Sequence, residues 1–228
     1  MATESHKIGP KPGNGSQDNS EIEITLGLLN AVGENSSLTQ RSIASQLDIA
    51  LGLANAYLKR CVRKGLIKVQ QVPRNRYAYY LTPRGFAEKS RLTSTYLSIS
   101  FNFFREARRQ CAEVCEYAAK MGWRRVALVG CSDIAEIATL CAGEYGIEIA
   151  GIVDAPSDGA DEHEKQEYAG LPLVENLSDL GGKVQAVLVT NTENPQRVFD
   201  ALSKSIPNNR ILTIALLNVS REQPKFGE

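Results

Sequence analysis

"SSLTQRSIASQLDIALGLANAYLKRCVRKGLIKV", Ser36 to Val69, decides the fold of the first half of this chain. Thr39 can cap a short helix through Leu47 that keeps Ile43, Ala44 and Leu47 on one face. Asp48-Ile49-Ala50 makes a tight turn, and a second helix runs from Leu51 to Lys64 before Gly65 ends it. Its spacing turns Leu51, Ala54, Leu58, Cys61 and Val62 inward and Gly52, Ala56, Lys59, Arg60 and Arg63 outward, with Leu53, Asn55 and Tyr57 on the flanks. Two short helices joined by a tight turn form a helix-turn-helix, whose second helix has a diameter that suits the major groove of B-DNA.

Upstream, Ile22–Val32 has helical apolar spacing, and Gly33 stands where that helix would stop. Residues 1–20 are rich in Gly, Pro, Ser and Asn, lack the apolar core of a signal peptide, and are expected to form a disordered tail. Downstream of Gly65 the period becomes extended. Leu66–Val72 and Tyr77–Leu81 flank Pro73-Arg74-Asn75-Arg76, a β-hairpin with a basic tip. Such a wing lies on the phosphate backbone or in the minor groove. Thr39–Arg91 holds 11 basic residues against 2 acidic, the surplus a polyanion would meet. The candidate DNA contacts are Thr39, Gln40, Arg41, Gly52, Leu53, Asn55, Ala56, Tyr57, Lys59, Arg60, Arg74 and Arg76.

"LTQRSIASQLDIALGLANAYLKRCVRKGLIKV…YYLTPRGFAEKSRLT" resembles the MarR-type winged helix-turn-helix regulators, above all the short subfamily associated with exopolysaccharide gene clusters. The likeness covers Ile22 to Thr93 and departs at Leu53, Ala56 and Tyr57, so it implies duplex-DNA binding without transferring a sequence preference. Thr82-Pro83 then opens a long helix. Its seam, Leu92, Tyr96, Ile99, Phe103, Ala107, Cys111, Val114, Ala118 and Met121, is that of a coiled coil, widened by Leu97, Phe101, Phe104 and Cys115. We expect it to join two copies, holding two reading helices at the spacing of a palindromic operator. Cys111 and Cys115 lie one turn apart, but a metal needs further soft ligands, and core thiols are the default.

From Arg125 strands and helices alternate. Val126–Val129, Ile147–Val153, Leu171–Val174, Val184–Val189 and Ile211–Leu216 are the expected strands. Ile134–Tyr145, with Ile137, Leu140 and Cys141 inward, and Pro195–Ser203 are the expected helices. The fold class expected is thus α/β overall: an N-terminal winged helix-turn-helix (α+β) over 21–82, a long linking helix over 83–121, and a C-terminal Rossmann-like parallel sheet with helices on both faces over 122–228.

Ligands of such sheets bind beyond the strands' carboxyl ends. The candidate ligand residues there are Gly130, Cys131, Ser132, Asp133, Ile134, Asp154, Thr190 and Asn191. "VALVGCSDIAEIA" is a broken dinucleotide fingerprint. Gly130 and Ala135 fit, and Asp154 stands 24 residues after Gly130, near the spacing of a ribose-binding acid. Ser132, however, carries a Cβ where a diphosphate should approach. At ~4 Å and an effective dielectric of ~20, Asp133 would repel a phosphate by about 4 kcal/mol. The turn suits a hydroxyl-rich or cationic group better.

"VALVGCSDIAEIA", "IEIAGIVDAP" and "AGLPLVENLSDL" resemble Rossmann-like domains of sugar-modifying and nucleotide-binding proteins, which implies a fold and no particular ligand.

The chain of 228 residues has zero net charge, which conceals a surplus of seven positive charges in residues 1–121 and seven negative in 122–228. No run is long and apolar enough for a membrane span, and five cysteines without a secretory signal suit free thiols in the cytoplasm. No catalytic residue, metal cluster or defined cofactor stands out. The expected function is a dimeric, DNA-binding transcriptional regulator whose Rossmann-like domain senses a small-molecule effector of nucleotide or sugar-nucleotide type. The competitors are an NAD(H)-responsive redox regulator, a nucleotide- or sugar-processing enzyme domain tethered to DNA, and a scaffold with a dead pocket.

Overall fold

The computed structural model describes residues 16–72, 76–154 and 167–221, which divide between Asn102 and Phe103 into two compact units. The first contains α1 (Ser16–Glu34), α2 (Gln40–Gln46), α3 (Leu51–Arg63), the antiparallel strands β1 (Ile67–Val72) and β2 (Arg76–Leu81), and the start of α4 (Pro83–Lys120). Residues 16–20, expected in the disordered tail, are helical. A helix anchored by buried Leu26, Leu28 and Leu29 adds each further residue for one more hydrogen bond, which polar composition does not prevent.

Thr39 caps α2 as its hydroxyl position allows. Its Oγ1 accepts from the Ser42 N–H at 3.1 Å, and Ser42 Oγ accepts from the Thr39 N–H at 2.9 Å. Asp48 takes the left-handed conformation (φ 50°) that the turn into α3 requires. Ala54, Leu58 and Cys61 of α3 are buried, and Leu58 and Cys61 join Leu26, Leu28, Leu29, Val32, Ile43, Leu66, Ile67, Tyr79 and Leu92 in one core. Leu51, expected inward, is instead 42% exposed: as the first helical residue it lies outside that cluster.

Thr82 closes the hairpin onto α4. Its Oγ1 accepts from the Gly85 N–H at 3.0 Å and donates to the Gly65 carbonyl at 2.6 Å. A Cβ at position 85 would run into the Leu66 carbonyl oxygen, so only glycine fits there.

The second unit carries the rest of α4, then β3 (Arg125–Val129), α5 (Asp133–Glu144), β4 (Glu148–Val153), β5 (Glu167–Tyr168), β6 (Leu171–Val174), β7 (Ala186–Val189), α6 (Pro195–Leu202) and β8 (Ile211–Leu212). The sheet order is β5-β6-β4-β3-β7-β8, parallel except for β5. All four residues of β7 are buried, as in a strand of a covered parallel sheet. Successive strands step from β3 to β4 and β6 on one side, then to β7 and β8 on the other. The switch point of this Rossmann-like sheet therefore lies between β3 and β7.

Two expectations are corrected in this unit, and one strand is added to it. The last strand stops at Leu212, because the following segment turns to α4: the Leu216 N–H donates to Gln110 Oε1 at 2.9 Å. Leu140 points outward, 64% exposed, while its neighbours Ile137 and Cys141 are buried. Two-residue β5, too short for any period to reveal, pairs with β6.

The seam of α4 is also corrected. Leu92 and Tyr96 pack in the core of the first unit. Phe103, Ala107, Cys111, Val114 and Ala118 pack in that of the second. Most of the expected intermolecular stripe is used within the chain, leaving Leu97, Phe101, Phe104 and Met121 exposed.

Candidate functional site

The outer face of α3 is built as its spacing demands. Gly52, Ala56, Lys59 and Arg63 follow one stripe, and together with Gln40, Asn55, Val69, Tyr77 and Tyr79 they line an open groove of about 710 Å³ between α3 and the β1–β2 hairpin. Val69 and Tyr77 are exposed in it. Gln40 leans across the groove, its Nε2 donating to the Tyr79 hydroxyl at 3.3 Å. Lys59 and Arg63 stand exposed one turn apart at the carboxyl-terminal end of the helix, where cations also complement its dipole.

Other candidate contacts are differently placed. Arg60 forms an ion pair with Glu21 of α1, so its charge is partly answered within the protein. Tyr57 is half-buried against the core, and burial, then the Glu21 carboxylate, raises its phenol pKa. The Thr39 hydroxyl serves the α2 cap. Arg41 is exposed, as are Leu53 and Ala56. Asn55 Oδ1 is buried without a hydrogen-bond partner. Arg74 lies outside the described residues, as does the side chain of Arg76 at the start of β2.

At the switch point the sequence-selected residues do come together, but they hold one another. The Cys131 N–H donates to Asp154 Oδ2 at 2.8 Å. Ser132 Oγ donates to the Thr190 carbonyl at 2.6 Å instead of capping α5, and Thr190 Oγ1 donates to the Gly130 carbonyl at 2.6 Å. Thr190 is fully buried. Gly130 has φ 103°, and a Cβ there would approach Asn191 Cα to 2.5 Å. The glycine is thus explained by the packing of the β7 loop. Asn191 Oδ1 accepts from the N–H groups of Glu193 at 3.1 Å and Asn194 at 2.7 Å, ordering the approach to α6. The Ile134 side chain is buried in the core, away from the surface of the turn where it was expected to line a site.

Sequence reasoning missed Tyr168 of β5. Burial, followed by the adjacent Glu136 carboxylate to which it hydrogen-bonds, pushes its phenol pKa up, with smaller contributions from Cys131 and Asp133. The half-buried side chains around this turn include Asp133, Glu136, Asp154 and Tyr168 as well as Cys131, Ser132 and Asn191, and the acceptor-bearing carboxylates stand out among them. No period could have flagged Tyr168, because its placement depends on the two-residue pairing of β5.

Cys111, Cys115 and Cys141 are buried in the second core. Burial pushes the Cys111 and Cys115 thiols up to about 12, which keeps them protonated and unreactive near neutrality. Among the described residues, no group of three or more His, Cys, Asp or Glu is placed to hold a metal ion. None of the described helices is long and apolar enough to cross a membrane.

Residues 23–68 match the winged helix-turn-helix DNA-binding family. No curated protein shows a significant sequence match. Among solved structures, the chain is similar to MepR, a transcription regulator of the Staphylococcus aureus multidrug efflux pump MepA, at 28% identity over 36% of this chain and 61% of that one, with a TM-score of 0.31. It is also similar to human N-acetylserotonin methyltransferase in complex with SAM, at 13% identity over 77% of this chain and 67% of that one (TM-score 0.27). A third likeness is to PigF with SAH, at 12% identity over 88% and 58% of the two chains (TM-score 0.23). The chain spans 61% of the length of the regulator.

Proposed function

We propose that this chain is a DNA-binding transcriptional regulator that acts as a homodimer and senses a small metabolite through its Rossmann-like unit. The observation that carries the reading is the helix-turn-helix itself: the family match over residues 23–68 coincides with a capped α2, a turn at Asp48 and an α3 that presents Lys59 and Arg63 beside an open groove. Cations at that place neutralise phosphates, which supplies most of the affinity of such modules. Exposed Leu97, Phe101 and Phe104, spaced along one face of α4, supply the surface for a second copy.

For the effector, Asp133, Glu136, Asp154 and Tyr168 favour a ligand rich in hydroxyls or carrying a cation. A dinucleotide is disfavoured, because Asp154 already occupies the Cys131 amide that a phosphate would need. Binding acts by shifting the population between states of different DNA affinity, a coupling of about 5–150-fold in known cases. Fluorescence anisotropy with duplex DNA, repeated with a panel of polyols, sugar nucleotides, nucleotides and NAD(H), tests this directly. Duplex binding that responds to one panel member is the expected result. Absence of duplex binding at low salt would overturn the DNA reading, and binding indifferent to the whole panel would overturn the sensing role.

A further inference from the structure

α3 is divided along its length. Its first eight residues, Leu51 to Leu58, include no charged side chain, and Lys59, Arg60 and Arg63 all fall in the last five. In helix-turn-helix modules it is the amino-terminal part of the second helix that meets base edges. Here that part places Leu51 and Leu53 in solvent, each 42% exposed, with Gly52 and Ala56 exposed beside them.

Base chemistry narrows what such a surface can read. Guanine is recognised chiefly by Arg or Lys at O6 and N7, adenine by an amide that both donates and accepts, and thymine by apolar contact with its 5-methyl group. The first eight residues offer no cation for guanine. Their one amide, Asn55, has its Oδ1 buried, away from any adenine N6 donor. Gln40, the neighbouring amide, belongs to α2 rather than α3, and its Nε2 donates to the Tyr79 hydroxyl. What the exposed residues in the first half of α3 itself present is carbon surface, on a helix that Gly52 and Ala56 keep slim enough for close approach.

We infer that α3 reads thymine. The 5-methyl groups of a thymine-rich half-site seat against Leu53 and Ala56, while Lys59 and Arg63 hold phosphates without regard to sequence. This rests on the DNA-binding reading given above. It also accounts for Leu53 being left in water near the amino-terminal end of a helix whose other end is cationic. Removing one methyl group from water corresponds to about fourfold in a binding constant.

The test uses the full chain. Preferred duplexes are selected from a random library, and each thymine of the selected site is then replaced by deoxyuridine, which lacks only the methyl group. Thymine-rich half-sites are expected, with about fourfold weaker anisotropy binding for each contacted methyl removed. Leu53→Ala should bring the thymine-to-deoxyuridine ratio toward one at its contact position. Selected sites anchored on G·C pairs and indifferent to deoxyuridine would overturn the inference. So would a Leu53→Ala protein that keeps the full ratio, since the leucines would then serve a protein partner. A chain that selects no duplex at all refutes the DNA-binding reading itself, a result distinct from either of these.

Discussion

Replacing Lys59 and Arg63 together with alanine should change the salt dependence of DNA binding by a calculable amount, while Arg60→Ala should hardly change it. Lys59 and Arg63 are exposed one turn apart along the groove, whereas Arg60 is paired with Glu21. Each phosphate contact releases counterions and contributes about 0.9 to the slope of log K against log salt, so losing two per protomer, hence four per dimer, should flatten the slope by about 3.6. Between ~50 and ~200 mM salt the unaltered dimer would then lose about 150-fold more affinity than the double variant. The fold should survive, since cations in the last helical turns stabilise by only about 0.3–1 kcal/mol each. Fluorescence anisotropy on one duplex at four salt concentrations gives both slopes, with far-UV circular dichroism as the control. Glu21→Gln frees Arg60 and should steepen the slope toward one further contact per protomer. An unchanged slope in a well-folded Lys59→Ala, Arg63→Ala protein would refute the reasoning, and so would an equal effect of Arg60→Ala.

Alanine at Arg74 and Arg76 should weaken binding to all duplexes alike and flatten the salt slope; a loss confined to one sequence would remove the wing from backbone contact. Phe101→Glu with Phe104→Glu should leave a folded monomer in sedimentation velocity, and an unchanged dimer mass would place the interface elsewhere. Thr190→Val leaves the Gly130 carbonyl without its buried donor, so urea titration should show a loss of about 1–3 kcal/mol; no loss would mean that the bond contributes nothing net. The Cys111 and Cys115 thiols, raised from an ordinary 9.0 to about 12 by burial, stay protonated in the folded state while the unfolded chain ionises. Their contribution to stability is therefore complete below pH ~9 and lost as pH rises toward ~12. Equilibrium unfolding across that window should show the decline for the unaltered protein and a shallower one for Cys111→Ala with Cys115→Ala.

What the sequence determined by itself was much of what local period and capping govern, although Leu51 and Leu140 fell outside the cores their spacing predicted. Thr39, Asp48 and Gly65 delimit α2 and α3, Thr82-Pro83 starts α4, and the β-α alternation from Arg125 sets the sheet, because each of these signals acts within a few residues of itself. The sequence also selected Gly130, Ser132, Asp154, Thr190 and Asn191 as neighbours at the strand ends. Only the tertiary structure decided what those groups do there. Asp154 binds the Cys131 amide, Thr190 the Gly130 carbonyl, and Asn191 packs where Gly130 lacks a side chain. A polar side chain satisfies whichever partner lies within about 3 Å, and no linear pattern states which partner that is. The same limit governed α4. Its apolar stripe is equally compatible with a second copy or with the chain's own cores, since burial of carbon surface is non-directional. Packing around Leu92 in one unit and around Ala107, Cys111 and Ala118 in the other settled the matter for those residues, and left Leu97, Phe101, Phe104 and Met121 as parts of the stripe still open to a partner.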